Sequence, residues 1–205
     1  MHKWILLLVA VLLCGCTKGG GGGSESLIKT YKPSTLPPQP ASLVLAGTEV
    51  PVELNSELSS DKLKIQVTAF GEVLEEELYS HSPTSFALVE ALSETYTPEL
   101  PLLGKESSFK DEWKWKGVIS TAGMERPASA SINMVKTQLG VPGFDKEAAK
   151  VSVALAIESG QGAISKRQLA FFFVEGKGLL KREFGQASER IPRKAEEEPT
   201  STPEE

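Results

Sequence analysis

Cysteine and histidine are almost missing from this chain of 205 residues, which has two of each. Cys14 and Cys16 stand near the start, after His2, so the remainder carries only His81. That scarcity excludes an internal disulfide beyond residue 16 and any zinc site built from several His or Cys ligands. It also excludes Cys-His and Ser-His-Asp relays unless His81 is the base. His81 sits in a Tyr-Ser-His-Ser-Pro stretch and reads as an exposed turn residue. Asp61, Asp111 and Asp145 are the only aspartates, and none belongs to a calcium-loop pattern. No apolar run is long enough to span a bilayer: residues 4–13 are uncharged, but there are only ten of them. An excess of positive charge is lacking as well. The net charge is −5, the wrong sign for a nucleic-acid footprint, and no nucleic-acid partner is expected.

What is present begins with an ordered leader. Met1-His2-Lys3 is a small basic start, residues 4–13 are the apolar stretch, and Leu13-Cys14-Gly15-Cys16 closes it. This is the layout of a secretory signal. The ending resembles the bacterial lipobox, with Leu at −3, Gly at −1 and Cys at +1. Residues 1–15 then read as a lipoprotein signal peptide, and Cys16 as the lipidated first residue of the mature chain. The chemistry needs a thiolate to form the thioether, and Gly15 leaves the backbone accessible to the peptidase. Two or more acyl chains hold a protein stably on a membrane. The expected address is the bacterial cell envelope, and Thr17, which is not Asp, points to the outer membrane if the cell is Gram-negative.

Residues 16–41 read as a tether, with five consecutive glycines at 19–23 and four prolines between Tyr31 and Pro40. Residues 185–205 are acidic and polar and read as a disordered tail. Between them, residues 42–184 alternate with a period of two, the mark of β-strands. Val151, Val153, Leu155 and Ile157 alternate most cleanly. Leu169 to Val174 is apolar on both parities, as in a strand covered on both faces. Glycine-bearing turns at 160–162 and 176–178 suit hairpins. Residues 82–96 read as strand rather than helix, 97–108 as a long loop, and 145–149 as a helical turn. The fold class is all-β: a single antiparallel, strongly twisted sheet or an incomplete barrel.

No catalytic constellation emerges. Glu75-Glu76-Glu77 reads as a solvated stretch. Gly176-Lys177-Gly178 lacks the upstream glycine and the Ser/Thr of a phosphate loop. Trp113 and Trp115 share one parity and Lys114 and Lys116 the other, so a buried aromatic face beneath a solvated lysine face is expected.

Two stretches carry a family resemblance. Pro101-Leu102-Leu103, followed by Asp111-Glu112-Trp113-Lys114-Trp115-Lys116-Gly117, resembles a segment of bacterial lipid-anchored proteins. Phe172-Phe173-Val174-Glu175-Gly176-Lys177-Gly178-Leu179-Leu180-Lys181-Arg182-Glu183 resembles their closing hairpin. The group is similar to the TapB-like lipoproteins and to LolA/LppX-type sheets, which hold a lipid in their concavity. The resemblance implies a curved antiparallel sheet in the envelope and assigns no functional residues.

The resulting expectation is a non-enzymatic binding or assembly module without cofactor or metal, anchored through the lipid on Cys16. It would take a hydrophobic ligand on an apolar face or an envelope protein at a strand edge, and its oligomeric state is open. Phe86, Leu102, Trp113, Trp115, Phe171 and Phe173 are the candidate lining of an apolar cavity. The alternatives are a glutamate-dependent envelope hydrolase acting on glycans and a structural spacer.

Overall fold

A computed structural model describes residues 24–35, 38–141, 145–159, 162–185 and 188–192. The signal peptide, Cys16 and residues 193–205 lie outside the described residues.

The chain is all-β, as the alternation implies. A short helix α1 (Ser24–Thr30) is followed by twelve strands among the described residues. They are β1 (Gln39–Leu45), β2 (Thr48–Leu58), β3 (Lys62–Ala69), β4 (Glu72–Ser82), β5 (Ser85–Ala91) and β6 (Glu94–Leu103), then β7 (Trp113–Thr121), β8 (Met124–Gln138), β9 (Glu147–Glu158), β10 (Ile164–Val174), β11 (Gly178–Phe184) and β12 (Ser188–Pro192). Each strand pairs antiparallel with the next in an up-and-down meander. The short β12 pairs with both β11 and β1, and β1 also pairs with β2, so the ring of strands closes into a barrel.

Several expectations are corrected here. The stretch read as tether contains α1, whose Ile28 is buried in the core with the following Tyr31, and β1 begins at Gln39. Residues 97–103, read as loop, continue β6. Residues 147–149, read as a helical turn, open β9. Residues 188–192, read as disordered, supply β12. The ambiguous stretch at 82–96 is strand, as expected, in β5 and the start of β6.

Alternation sorts the side chains. Along β9, Val151, Val153, Leu155 and Ile157 point inward and are buried, with more exposed neighbours between them. Outside, Lys114, Lys116, Ser129 and Asn133 face solvent. Apolar inside and polar outside is the reverse of a transmembrane barrel. In β10 both parities are covered, as expected. Leu169, Phe171 and Phe173 join the interior, while Ala170, Phe172 and Val174 join an outer cluster with Leu139, Val141 and Leu180. Lys150 and Lys181 lie over the Phe172 ring, 5.2 and 5.0 Å from its centre.

The middle of the barrel is filled. β4 and β10 lie on opposite sides of the ring, yet Tyr79 and Phe171 meet edge to face at 6.4 Å. Phe86 of β5 stacks on Tyr79 at 5.2 Å and meets Phe173 at 5.6 Å. Such distances are those of packed aromatic pairs, so the barrel is flattened upon its own side chains.

Candidate functional site

A closed ring removes strand edges only where pairing is continuous. Pairing is interrupted on each side of the β5–β6 hairpin, and a cleft lies at each of these places.

The first opening lies between β6 and β7. These strands pair only from Glu94 to Thr97 against Val118 to Thr121. Beyond that point β6 carries Pro98 and Pro101, which have no N–H to donate to a ladder. The Thr97–Pro98 peptide is cis. Two indoles bridge the gap instead: Trp115 Nε1 donates to the Pro98 carbonyl at 3.0 Å and Trp113 Nε1 to the Pro101 carbonyl at 3.3 Å. The Trp115 ring lies so close over Gly117 that a Cβ there would sit 2.4 Å from both the ring and the Thr97 carbonyl. The Trp-Lys-Trp-Lys-Gly run is therefore the device that seals a proline-interrupted strand boundary.

At the wide end of this gap is a cleft of about 400 Å³, bordered by Thr84, Pro101, Leu103, Lys105, Ser107 and Trp113. Its lining is mainly apolar. The loop after β6 is fixed by Ser107, whose hydroxyl accepts from Gly104 N at 2.8 Å. Helix α1 lies at this same end of the barrel. It touches β6, and the Gly176 N–H at the β10–β11 turn donates to the Thr30 carbonyl at 3.1 Å. The chain after it packs against the same turn so closely that a Cβ on Gly178, already at φ +77°, would meet Pro33 Cα at 2.8 Å.

The second opening lies between β4 and β5, at the opposite end. Pairing there covers Leu78 to Ser82 of β4, so residues 72–77 are joined, among the described residues, to β3 alone. A cleft of about 500 Å³ occupies the gap, bordered by Val73, Leu74, Glu75, Glu76, Glu90 and Leu92.

Two charged clusters cross the interior, and sequence reasoning missed both. Glu77 of β4 and Arg182 of β11 are each 1% exposed, and Arg182 Nε donates to Glu77 Oε1 at 3.1 Å. The Tyr79 hydroxyl donates to the other carboxylate oxygen at 2.5 Å. Arg190 of β12, fully buried, pairs with Glu75, stands 3.6 Å from Glu77 and lies over the Phe184 ring. The stretch read as solvated glutamates thus turns two of them inward. The signal was their parity: Glu75 and Glu77 alternate in step with Tyr79. In the second cluster Arg167 Nη2 donates to Glu94 Oε1 at 3.1 Å, with Arg126 3.7 Å away and the Tyr96 hydroxyl 3.4 Å from the carboxylate. Burial, reinforced by the neighbouring carboxylate, raises the pKa of Tyr79 and of Tyr96 well above the usual tyrosine range. His81, in β4 rather than in a turn, bonds through Nε2 to the Ser59 carbonyl at 3.0 Å.

All six residues expected to line a cavity lie in the packed interior. Phe86, Leu102, Phe171 and Phe173 are fully buried, and Trp115 faces Tyr96 at 6.3 Å. Trp113 borders the first cleft as well. No group of His, Cys, Asp and Glu among the described residues is arranged to hold a metal.

The sequence matches no protein-family model and no curated protein. Its fold is similar to that of a candidate lipoprotein of Parabacteroides distasonis, at 12% identity and a TM-score of 0.51, over 80% of this chain and 96% of that one. A candidate exported protein with a YmcC-like fold from Bacteroides fragilis aligns at 12% identity and a TM-score of 0.41, over 80% and 97%. The first likeness is one of fold.

Proposed function

We propose that this chain is a lipid-anchored envelope protein, tethered through Cys16, that binds an acyl chain in the cleft beside Trp113. The observation that carries this reading is the placement of that cleft. It is apolar, it opens at the α1 end of the barrel, and α1 begins eight residues after Cys16. Eight extended residues reach at most about 28 Å, so a lipid on Cys16 keeps this end close to the bilayer. The name of the Parabacteroides protein agrees with an envelope address. The LolA/LppX-type concavity is not the site in this reading, because the concave face is occupied by the aromatic stack. The site is instead the seam between β6 and β7. A role as a glutamate-dependent hydrolase finds less support, since the inward Glu75, Glu77 and Glu94 are each held by arginine.

The test uses the processed, lipidated protein in vesicles whose phospholipids carry bromine on their acyl chains. Processing removes Trp4, leaving Trp113 and Trp115. In a Trp115→Phe variant the remaining Trp113 should be strongly quenched. In Trp113→Phe the remaining Trp115, deeper in the seam, should be quenched far less. Equal, weak quenching of both refutes an acyl chain in the cleft.

A further inference from the structure

The β4–β5 opening is a different kind of surface. It lies at the barrel end away from α1, and its chief feature is main chain. Residues 72–77 pair with β3 on one side and, among the described residues, have no strand on the other. A strand edge left open is a template for another strand. The apolar groups gather at the same place. Phe70, at the tip of the β3–β4 turn, is 96% exposed. Val73 and Leu74 are both half exposed because the register slips here: Val67 pairs with Glu75 and Thr68 with Val73, leaving Leu74 as the extra residue of a bulge. Consecutive apolar side chains are thereby turned outward beside the cleft.

We infer that the open edge of β4 receives an extended segment of a partner protein that is basic as well as apolar, added as a strand beside residues 72–77. Charge selects this occupant. Glu72 and Glu90 flank the opening without a cationic partner among the described residues, and Glu76, paired with Lys64, lines it too. A second copy of the chain would set Glu72 and Glu76 against the same carboxylates, and like charges on facing strands repel. The chain's own acidic stretch at 196–198 is excluded on the same ground, and its N-terminal segment leaves from the other end. A strand bearing Lys or Arg on one face and aliphatic groups on the other meets both the carboxylates and the Phe70–Val73–Leu74 surface. With the α1 end held at the membrane, this edge points away from it. The inference does not depend on the acyl cleft.

The experiment follows backbone amide exchange in the full-length protein with a short peptide of alternating Lys and Val. Roughly alternate amides within 72–77 should slow by about tenfold or more, as they gain a strand partner. The same peptide N-methylated along one edge keeps its side chains but cannot pair, and should protect nothing. Glu72→Lys and Glu90→Lys should each weaken the effect about two- to fivefold at low salt. Protection that survives N-methylation overturns strand addition. So does an absence of protection with millimolar Lys-Val peptide, and so does an edge whose amides all exchange slowly before any peptide is added.

Discussion

Glu77→Leu isolates the consequence of building a charged pair into an apolar barrel. Glu77 and Arg182 are both 1% exposed, and the carboxylate also accepts the Tyr79 hydroxyl and stands 3.6 Å from Arg190. Removing it takes the counter-charge from the Arg182 guanidinium, in a site where its Nη2 already has no hydrogen-bond partner among the described residues. Breaking a buried pair from one side costs about 3–5 kcal/mol, because the surviving charge stays desolvated. For a domain of this size each kcal/mol lowers the melting temperature by roughly 2–4 °C, so Glu77→Leu should melt at least about 6 °C lower. Arg182→Met should cost less, since the orphaned carboxylate retains Tyr79 and has Arg190 nearby. The double variant Glu77→Leu/Arg182→Met replaces the pair with apolar volume and should regain most of the loss, because such exchanges are often neutral or stabilising. Urea unfolding followed by tryptophan fluorescence, in a Cys16→Ser background free of lipid, measures all four corners of the cycle. A Glu77→Leu cost under about 1 kcal/mol, or a double variant as unstable as the single one, would refute the claim that burial makes this pair costly to break.

Three further outcomes are expected. Gly117→Ala forces a methyl to within 2.4 Å of the Thr97 carbonyl and the Trp115 ring, and should destabilise by about 1–3 kcal/mol with a changed near-ultraviolet tryptophan signal; an unchanged signal and stability would mean that the seam is loose. Tyr79 and Tyr96 hold their protons in the folded state beyond the pH at which an unfolded tyrosine loses its own, about 10. Above that pH the unfolded state binds fewer protons than the native state, so stability falls as pH rises, and Tyr79→Phe/Tyr96→Phe should flatten the decline seen in urea titrations between pH 9 and pH 12. Cys16→Ser should abolish acyl labelling and release the protein from membranes, and a variant that still labels and sediments with them would sink the lipobox reading.

The two openings have a common origin. The β5–β6 hairpin is out of step with its neighbours: it ends short of β4 at one end of the barrel, and its prolines part it from β7 at the other. One gap is sealed on its inner side by indole hydrogen bonds and leaves an apolar cleft. The other, at the β4 edge, is left beside acidic and apolar side chains. The barrel thus has two clefts beside the same hairpin with different linings, one mainly apolar and one rich in carboxylates.

The all-β fold class was legible from the residues alone, because the alternation of apolar and polar residues is a local property that survives without any partner strand. Val151 to Ile157 and the doubly covered Leu169 to Val174 were legible for that reason. So was the split of Trp113 and Trp115 from Lys114 and Lys116. The closure of the ring was not legible. β12 is a short, polar segment after Gly185, and it becomes strand only because β1 and β11 offer it two edges at once. Helix α1 was hidden in the same way, since seven residues after a glycine run have little helical tendency of their own and are held by Ile28 and Tyr31 entering the core. The charged clusters and the clefts were decided by tertiary structure alone. Glu77 and Arg182 are 105 residues apart, and only the flattening of the barrel brings one against the other. Likewise, no periodicity announces where two strands stop pairing; that depends on how far each neighbour runs, which is fixed by the whole ring.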